Sequence, residues 1–212
     1  MDDDSSFQTA AVLGRSTKGE DAVVVGEQMT LSVLMAAYNE HQTIERIIHA
    51  VLAEELVSEL IIVDDGSTDG TREFLTEKGV PILDQTIPGR GVAFRVAAEA
   101  SRDERIVYYS PDGNEDPADI ERLDDLLLAG NDLAIASRFA PGSVNEETDW
   151  ARPRARVNQT LTWMANKLFN QGPYVTDTIN GFRAIRREDL NDLNSTVKRF
   201  PIEYQISIRA MT

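Results

Sequence analysis

Between Glu59 and Thr71 the chain reads E-L-I-I-V-D-D-G-S-T-D-G-T. Four apolar residues, Leu60 to Val63, run directly into two carboxylates, Asp64 and Asp65, and then into a Gly-Ser-Thr-Asp-Gly turn. A short unbroken apolar run closed by turn residues marks a strand buried on both faces, the habit of a parallel sheet. Open α/β sheets bind ligands beyond the carboxyl ends of their strands, and buried charge without a partner is heavily penalised. The two acids are therefore expected to face a cleft and accept donors from a bound molecule. The competing account is that both merely cap the Ser67-Thr68-Asp69 turn.

The cations are placed just as unevenly. From Trp150 to Arg187, the residues Arg152, Arg154, Arg156, Lys167, Arg183, Arg186 and Arg187 face a single acid, Asp177, which makes the segment +6 in a chain of −15 and leaves −21 elsewhere. Concentrated guanidinium suits phosphate or carboxylate recognition; ion pairing with the acidic remainder is the alternative. The overall balance, 36 Asp+Glu against 21 Lys+Arg, argues against nonspecific nucleic-acid binding. There is no Cys, so disulfides and thiolate metal sites are excluded. His41 and His49 are too isolated to form a metal site. No apolar run is long enough to cross a bilayer, and the acidic N-terminus is no signal peptide. A soluble, intracellular domain is expected.

The elements that must position these groups alternate regularly. Residues 1–30 read as a polar extension with Val23-Val24-Val25 as one possible strand, and 31–212 as a single domain. Strands are expected at Leu31–Ala36, Glu59–Val63, Val80–Leu83, Arg105–Tyr109 and Asp132–Ala136. Between them the spacing of Ile44, Ile47, Ile48, Val51 and Leu52 predicts a helix, as do Thr71–Glu77, Val92–Ser101 and the stretch carrying Ile120, Leu123, Leu126 and Leu127 behind Pro117. Strand-helix alternation of this kind means a mostly parallel central sheet flanked by helices. Beyond Arg138 the pattern gives way to a loop, a long helix from about Arg154 to Asn170, and a mixed tail. In that helix Trp163, Met164, Leu168 and Phe169 are expected to face the core, with docking on lipid as the alternative.

Five motifs in order carry a resemblance: S-V-L-M-A-A-Y-N-E, I-I-V-D-D-G-S-T-D-G-T, G-R-G-V-A-F-R, D-G-N-E-D-P and D-T-I-N-G-F-R-A-I-R-R. Together they resemble family 2 glycosyltransferases of the GT-A (Rossmann-like) fold. With Ala-Ser-Arg-Phe at 136–139, they are similar to the branch of dolichyl-phosphate mannose synthases and other polyprenyl-phosphate glycosyltransferases. The resemblance implies a nucleotide-sugar half at 31–138 and an acceptor half at 139–212. It implies that the backbone near Ala36, the Tyr38 side chain and Glu40 hold a nucleoside, since a carboxylate can accept both ribose hydroxyls. Asp65 is then a base or ribose contact and Asp64 braces the turn, while Arg90 either reaches the diphosphate or is a solvated loop residue.

Relatives commonly read D-x-D-G-x-x-D-P where this chain has Ser110-Pro-Asp-Gly-Asn-Glu-Asp-Pro117. One carboxylate of the metal motif is thus lost, leaving Asp112 with Asn114 and the diphosphate to hold Mg²⁺ or Mn²⁺. Arg138, Arg152 and Arg156 are implied to grip the acceptor phosphate. Asp177 either touches substrate, as a catalytic residue beside Asp112 and Arg138, or orders its loop by pairing with Arg183. The expected activity is inverting transfer of a sugar from a UDP- or GDP-sugar to a polyprenyl or dolichyl phosphate, by a domain peripheral to the inner face of a membrane. The alternatives are a hydroxyl acceptor, with Asp177 or Glu203 as base, and a non-catalytic nucleotide-sugar-binding relative. A nucleotidyltransferase is disfavoured because Ala36–Glu40 lacks glycine, and a dinucleotide oxidoreductase because Gly89–Phe94 lacks the third glycine.

Overall fold

The computed structural model describes residues 11–13, 30–85, 87–140, 152–192 and 202–211. Five strands point the same way: β2 (Leu31–Ala37), β3 (Val57–Asp64), β4 (Ile82–Asp84), β5 (Arg105–Tyr109) and β6 (Leu133–Ile135). Two run against them, β7 (Arg183–Arg186) and β1 (Ala11–Leu13), and the sheet order is β1-β6-β7-β5-β2-β3-β4. The expected mostly parallel sheet is therefore present. Its antiparallel strand β7 comes from the tail that carried no clear pattern. At the edge, β1 pairs with β6 in the segment read as an extension, whereas Val23–Val25 lie outside the described residues.

The sheet sorts its side chains by alternation. Leu31, Val33, Met35 and Ala37 of β2 join Ile62, Val107, Tyr109 and Ala184 on one face. That face is covered by α1 (Ile44–Leu52), α2 (Thr71–Glu77) and α4 (Asp119–Leu128), whose Ile44, Ile47, Ile48, Val51, Leu75, Ile120, Leu123 and Leu127 point inward at helical spacing. The other face gathers Leu34, Val63, Ile106, Tyr108 and Ile185 beneath α3 (Arg90–Ala100), α5 (Arg152–Leu168) and α7 (Ile202–Met211). A short α6 (Arg187–Asp192) follows β7 directly. The result is three layers, with β2 wholly covered at its centre.

In α5 the expectation of a core-facing apolar side does not hold. Trp163, Met164, Leu168 and Phe169 are exposed, and the buried positions are Asn158, Thr162 and Ala165. Thr162 and Asn166 turn inward because they hold a neighbouring loop: the Thr162 and Thr178 hydroxyls lie 2.9 Å apart, and Asn166 Nδ2 donates to Val175 O at 2.8 Å.

Candidate active site

Register brings the strand ends level. Ala37 of β2 lies opposite Asp64 of β3, and Asp64 opposite Asp84 of β4, while Met35 pairs with Tyr109 at the end of β5. The loops after β2, β3 and β5 therefore open on one rim. From β2 the chain crosses through α1 on one face, and it reaches β5 through α3 on the other, so the β2–β5 boundary is the switch point where such sheets form a crevice.

Two of those loops are stitched together. Asn39 adopts a left-handed conformation, φ 60, which Asn tolerates. Its N–H donates to Ser67 Oγ at 3.0 Å, and its Oδ1 accepts the Thr68 N–H at 2.8 Å. The Glu40 N–H reaches Thr71 Oγ1 at 2.9 Å. Asp64 does brace the turn, accepting the Ser67 N–H at 3.2 Å with Arg72 at 3.5 Å. Asp65 Oδ1 accepts the Gly89 N–H at 2.7 Å and the Gln85 amide, which fastens the loop that launches α3 and so places Arg90. Ala36, near the end of β2, is half-buried, and Tyr38, just after it, is exposed.

A cluster of acids occupies the rim beyond β5. Asp112 closes an Asx turn on the Asn114 N–H at 3.1 Å, and Gly113 between them takes φ 83. Burial raises the Glu40 carboxyl above its ordinary range, and Asp112 adds to the effect against a hydrogen bond from Thr43. Glu115 Oε2 accepts the Ser110 N–H at 2.8 Å. Burial pushes Glu115 up to about 8, the Ser110 bond opposes this, Asp112 adds to it, and Arg90 and Arg138 pull it down. Glu115, which no sequence pattern singles out, thus feels the charge of both Asp112 and the two arginines.

In the second half of the chain Asp177 is fully buried and pairs with Arg138. Arg138 Nε donates to Oδ2 at 2.8 Å and Nη2 to Oδ1 at 3.3 Å. Oδ1 also accepts the N–H groups of Ile179 and Asn180, both at 3.1 Å. Asp177 orders its loop as one reading expected, but with Arg138 rather than Arg183 as partner. Arg183 lies in the core, donating from Nη1 to Glu203 O at 2.8 Å and from Nε to Asn180 O at 3.0 Å, and burial lowers its pKa to about 10.

Arg90 joins the two sides. Its Nε lies 3.2 Å from the buried Glu203 Oε1, its guanidinium carbon 5.2 Å from the Phe94 ring centre, and its Nη2 passes where a Cβ on Gly181 would stand. Among the described residues the remaining basic side chains do not form one patch. The side chains of Arg152 and Arg154 lie outside the described residues, and Arg156 is exposed on α5. Arg186 and Arg187 line a cavity of about 470 Å³ with Arg102 and Arg105, at the amino end of the parallel strands and away from the rim. Among the described residues no group of three or more His, Cys, Asp or Glu is arranged to hold a metal.

Comparison with known proteins follows the same outline. The profile of Glycosyl transferase family 2 matches residues 32–193. The glycosyltransferase AglJ of Haloferax volcanii is 30% identical over 83% of this chain, and polyprenol monophosphomannose synthase of Mycolicibacterium smegmatis is 29% identical over 83%. The chain spans only 56% of the first and 69% of the second. Glucosyl-3-phosphoglycerate synthase of Mycobacterium tuberculosis, solved with Mn²⁺, UDP and glucosyl-3-phosphoglycerate, superposes with a TM-score of 0.62 at 26% identity, covering 92% of this chain and 71% of that one.

Proposed function

Because the chain belongs to glycosyltransferase family 2, we propose that it moves a hexose from a UDP- or GDP-sugar to a polyprenyl phosphate, with inversion at the anomeric carbon. The observation that carries this reading is that the loops after the parallel strands β2 to β6, which hold Glu40, Asp65, Arg90, Asp112 and Arg138, all leave the same end of the sheet. The names of relatives support it: a polyprenol monophosphomannose synthase and a dolichyl-phosphate hexose transferase of Haloferax volcanii.

In this reading Tyr38, Glu40 and Asp65 receive the nucleoside beside Ala36, with Asp65 also fixing the loop under the diphosphate. Arg90 turns from Glu203 to the diphosphate and stabilises the charge that grows as it leaves. Arg138, held by Asp177, meets the acceptor phosphate, with Arg152 and Arg156 at the entrance to α5. A phosphate monoester has its second pKa near ~6 and attacks as a dianion, so no general base is required. The oxygen donors of Asp112 and Asn114 fit a hard cation such as Mg²⁺ or Mn²⁺, which takes one or two carboxylates plus substrate phosphates. Bound there, the ion would neutralise diphosphate charge. The isoprenoid tail of such an acceptor places the domain at the cytoplasmic face of a membrane.

The test is transfer of label from a panel of UDP- and GDP-sugars to polyprenyl phosphate and to soluble glycans and phosphoglycerate. Labelled lipid is expected; label only in soluble products overturns the acceptor. One observation favours that second outcome. Glu203 Oε1 is buried beside Arg90 with no hydrogen-bond donor, as a base for a hydroxyl acceptor would be once Arg90 swings away.

A further inference from the structure

The cavity at the amino end of the parallel strands is walled by the approach to β5, the end of α4, and the junction of β7 with α6. Its volume, about 470 Å³, is that of a small-molecule site. Of the four arginines that line it, two are neutralised from within the chain: Arg102 by Glu59 at 3.0 Å, and Arg105 by the buried Asp124 at 2.5 Å. The other two are not. Arg186 donates from Nη2 to Leu127 O at 2.8 Å, a carbonyl at the end of α4, and makes no ion pair among the described residues. Arg187 makes no side-chain hydrogen bond or ion pair among them at all. Register adds to the cost. Arg105 lies directly opposite Arg186 across the β5–β7 ladder, and facing like charges repel. Asp124 relieves only one of that pair.

The acids around the cavity do not answer this excess. Asp103 is already engaged: Oδ1 accepts from the Thr30 hydroxyl at 3.1 Å, and Oδ2 from Ser32 at 2.9 Å and from Ser58. Burial raises the Asp132 carboxyl and Arg186 draws it back down, yet the two do not close into an ion pair among the described residues. Glu104 and Glu188 are exposed, where water screens their attraction, whereas Arg105 is buried and Arg186 and Arg187 are half-buried. We propose that this cavity is a second anion site, which takes a small phosphate-bearing molecule on the guanidinium groups of Arg186 and Arg187. Their planar forks match phosphate oxygens, and the anion offsets the repulsion between Arg105 and Arg186. Leu127 and Leu128 supply an apolar wall for the body of a phosphate monoester. The site lies at the opposite end of the sheet from the catalytic rim and does not depend on which donor or acceptor the rim uses.

Calorimetry of the full chain with inorganic phosphate and with butyl phosphate, at fixed ionic strength, tests this. Millimolar or tighter binding is expected. Tighter binding of the ester assigns the site to a phosphate monoester, and equal binding assigns it to free phosphate. Arg187→Gln removes no contact within the described residues and is expected to weaken binding about tenfold, the worth of a hydrogen bond to a charged group. Arg187→Lys keeps the charge without the fork and should lose less. Glu104→Gln, which removes a repelling carboxylate from the lining, is expected to strengthen binding, an effect that a structural role for these residues would not give. Circular dichroism should show all three variants folded. Failure of both phosphates to bind the wild type overturns the proposal. So does undiminished binding by Arg187→Gln, which would put the anion elsewhere, the catalytic rim included, and so does weaker binding by Glu104→Gln.

Discussion

Asp177→Asn separates scaffold from chemistry. The native carboxylate is fully buried and accepts from Arg138 Nε and Nη2, the Arg138 N–H, and the N–H groups of Ile179 and Asn180. Asparagine keeps the shape but removes the charge, and one face of its amide presents N–H groups to donors. Breaking a buried pair costs about 3–5 kcal/mol. Because 29% of the Arg138 side chain is open to water, the low end applies, about 3 kcal/mol, with up to about 1 kcal/mol more for loop N–H groups left unmet.

Urea unfolding should show that loss as a lower midpoint at unchanged slope. A protein with ordinary stability of about 5–15 kcal/mol would remain folded. In Arg138→Met, where the cation is already gone, Asp177→Asn should cost less by about 1–2 kcal/mol, the coupling between the two. Transfer should fall mainly through weaker binding of the acceptor, because Arg138 loses its orientation. The reasoning is refuted if Asp177→Asn unfolds at the wild-type midpoint while turnover at saturating acceptor falls by orders of magnitude. Asp177 would then act on substrate itself.

Glu115 has a folded pKa of about 8 against an ordinary 4.5, so its contribution to stability is complete below about pH 4.5 and is lost as pH rises through about 8. Each pH unit between these values is worth about 1.4 kcal/mol, which water reaching the side chain screens to a total on the order of 2 kcal/mol; metal-free Glu115→Gln should show a correspondingly flatter pH–stability curve, and an unchanged one sinks the assignment. Gly181→Ala would put a Cβ where Arg90 Nη2 lies, so calorimetry should show UDP or GDP binding weakened severalfold with little change in melting temperature. Asp112→Asn should abolish most of any Mn²⁺-dependent gain in nucleotide affinity, about tenfold or more; an undiminished gain places the ion elsewhere.

Much of the fold was legible because its local signals agree. Buried parallel strands write themselves as apolar runs ending in turns, and β5 begins and ends where its pattern does, at Arg105 and Tyr109. The helices α1 and α4 bury most of the residues their spacing nominates, the exceptions being the exposed Leu52 and the partly buried Leu126. β7 was not legible, because Arg183-Ala-Ile-Arg186 is short and starts with a charge that the core accepts only through the carbonyls of Asn180 and Glu203. α5 misled because apolar residues on a helix do not by themselves show which face packs inward. Its inward side is polar for the sake of the loop it holds.

The site was readable where chemistry and local geometry coincide and not where three-dimensional routing decides. Asp64, Asp65 and Asp112 follow strands, and strand ends of a parallel sheet must share a rim, so their proximity follows from order alone. The arginines offered no such rule. Arg183 and Arg186 are three residues apart on a strand, which at roughly 3.3 Å per residue separates them by about 10 Å. Because β7 is antiparallel to β5, it starts near the rim and carries its last arginine to the opposite end of the sheet, where Arg186 pairs in register with Arg105. One run of cations in the sequence is thereby divided into a buried strut and a distant cavity wall. Among the described residues Arg46, Arg72, Arg90 and Arg138 stand at the rim, all from outside that run, and Arg90 and Arg138 are each held by an acid, Glu203 or Asp177, from the far half of the chain. Charge counting along a sequence finds which ligand a protein prefers only when the strands carrying those charges all point the same way.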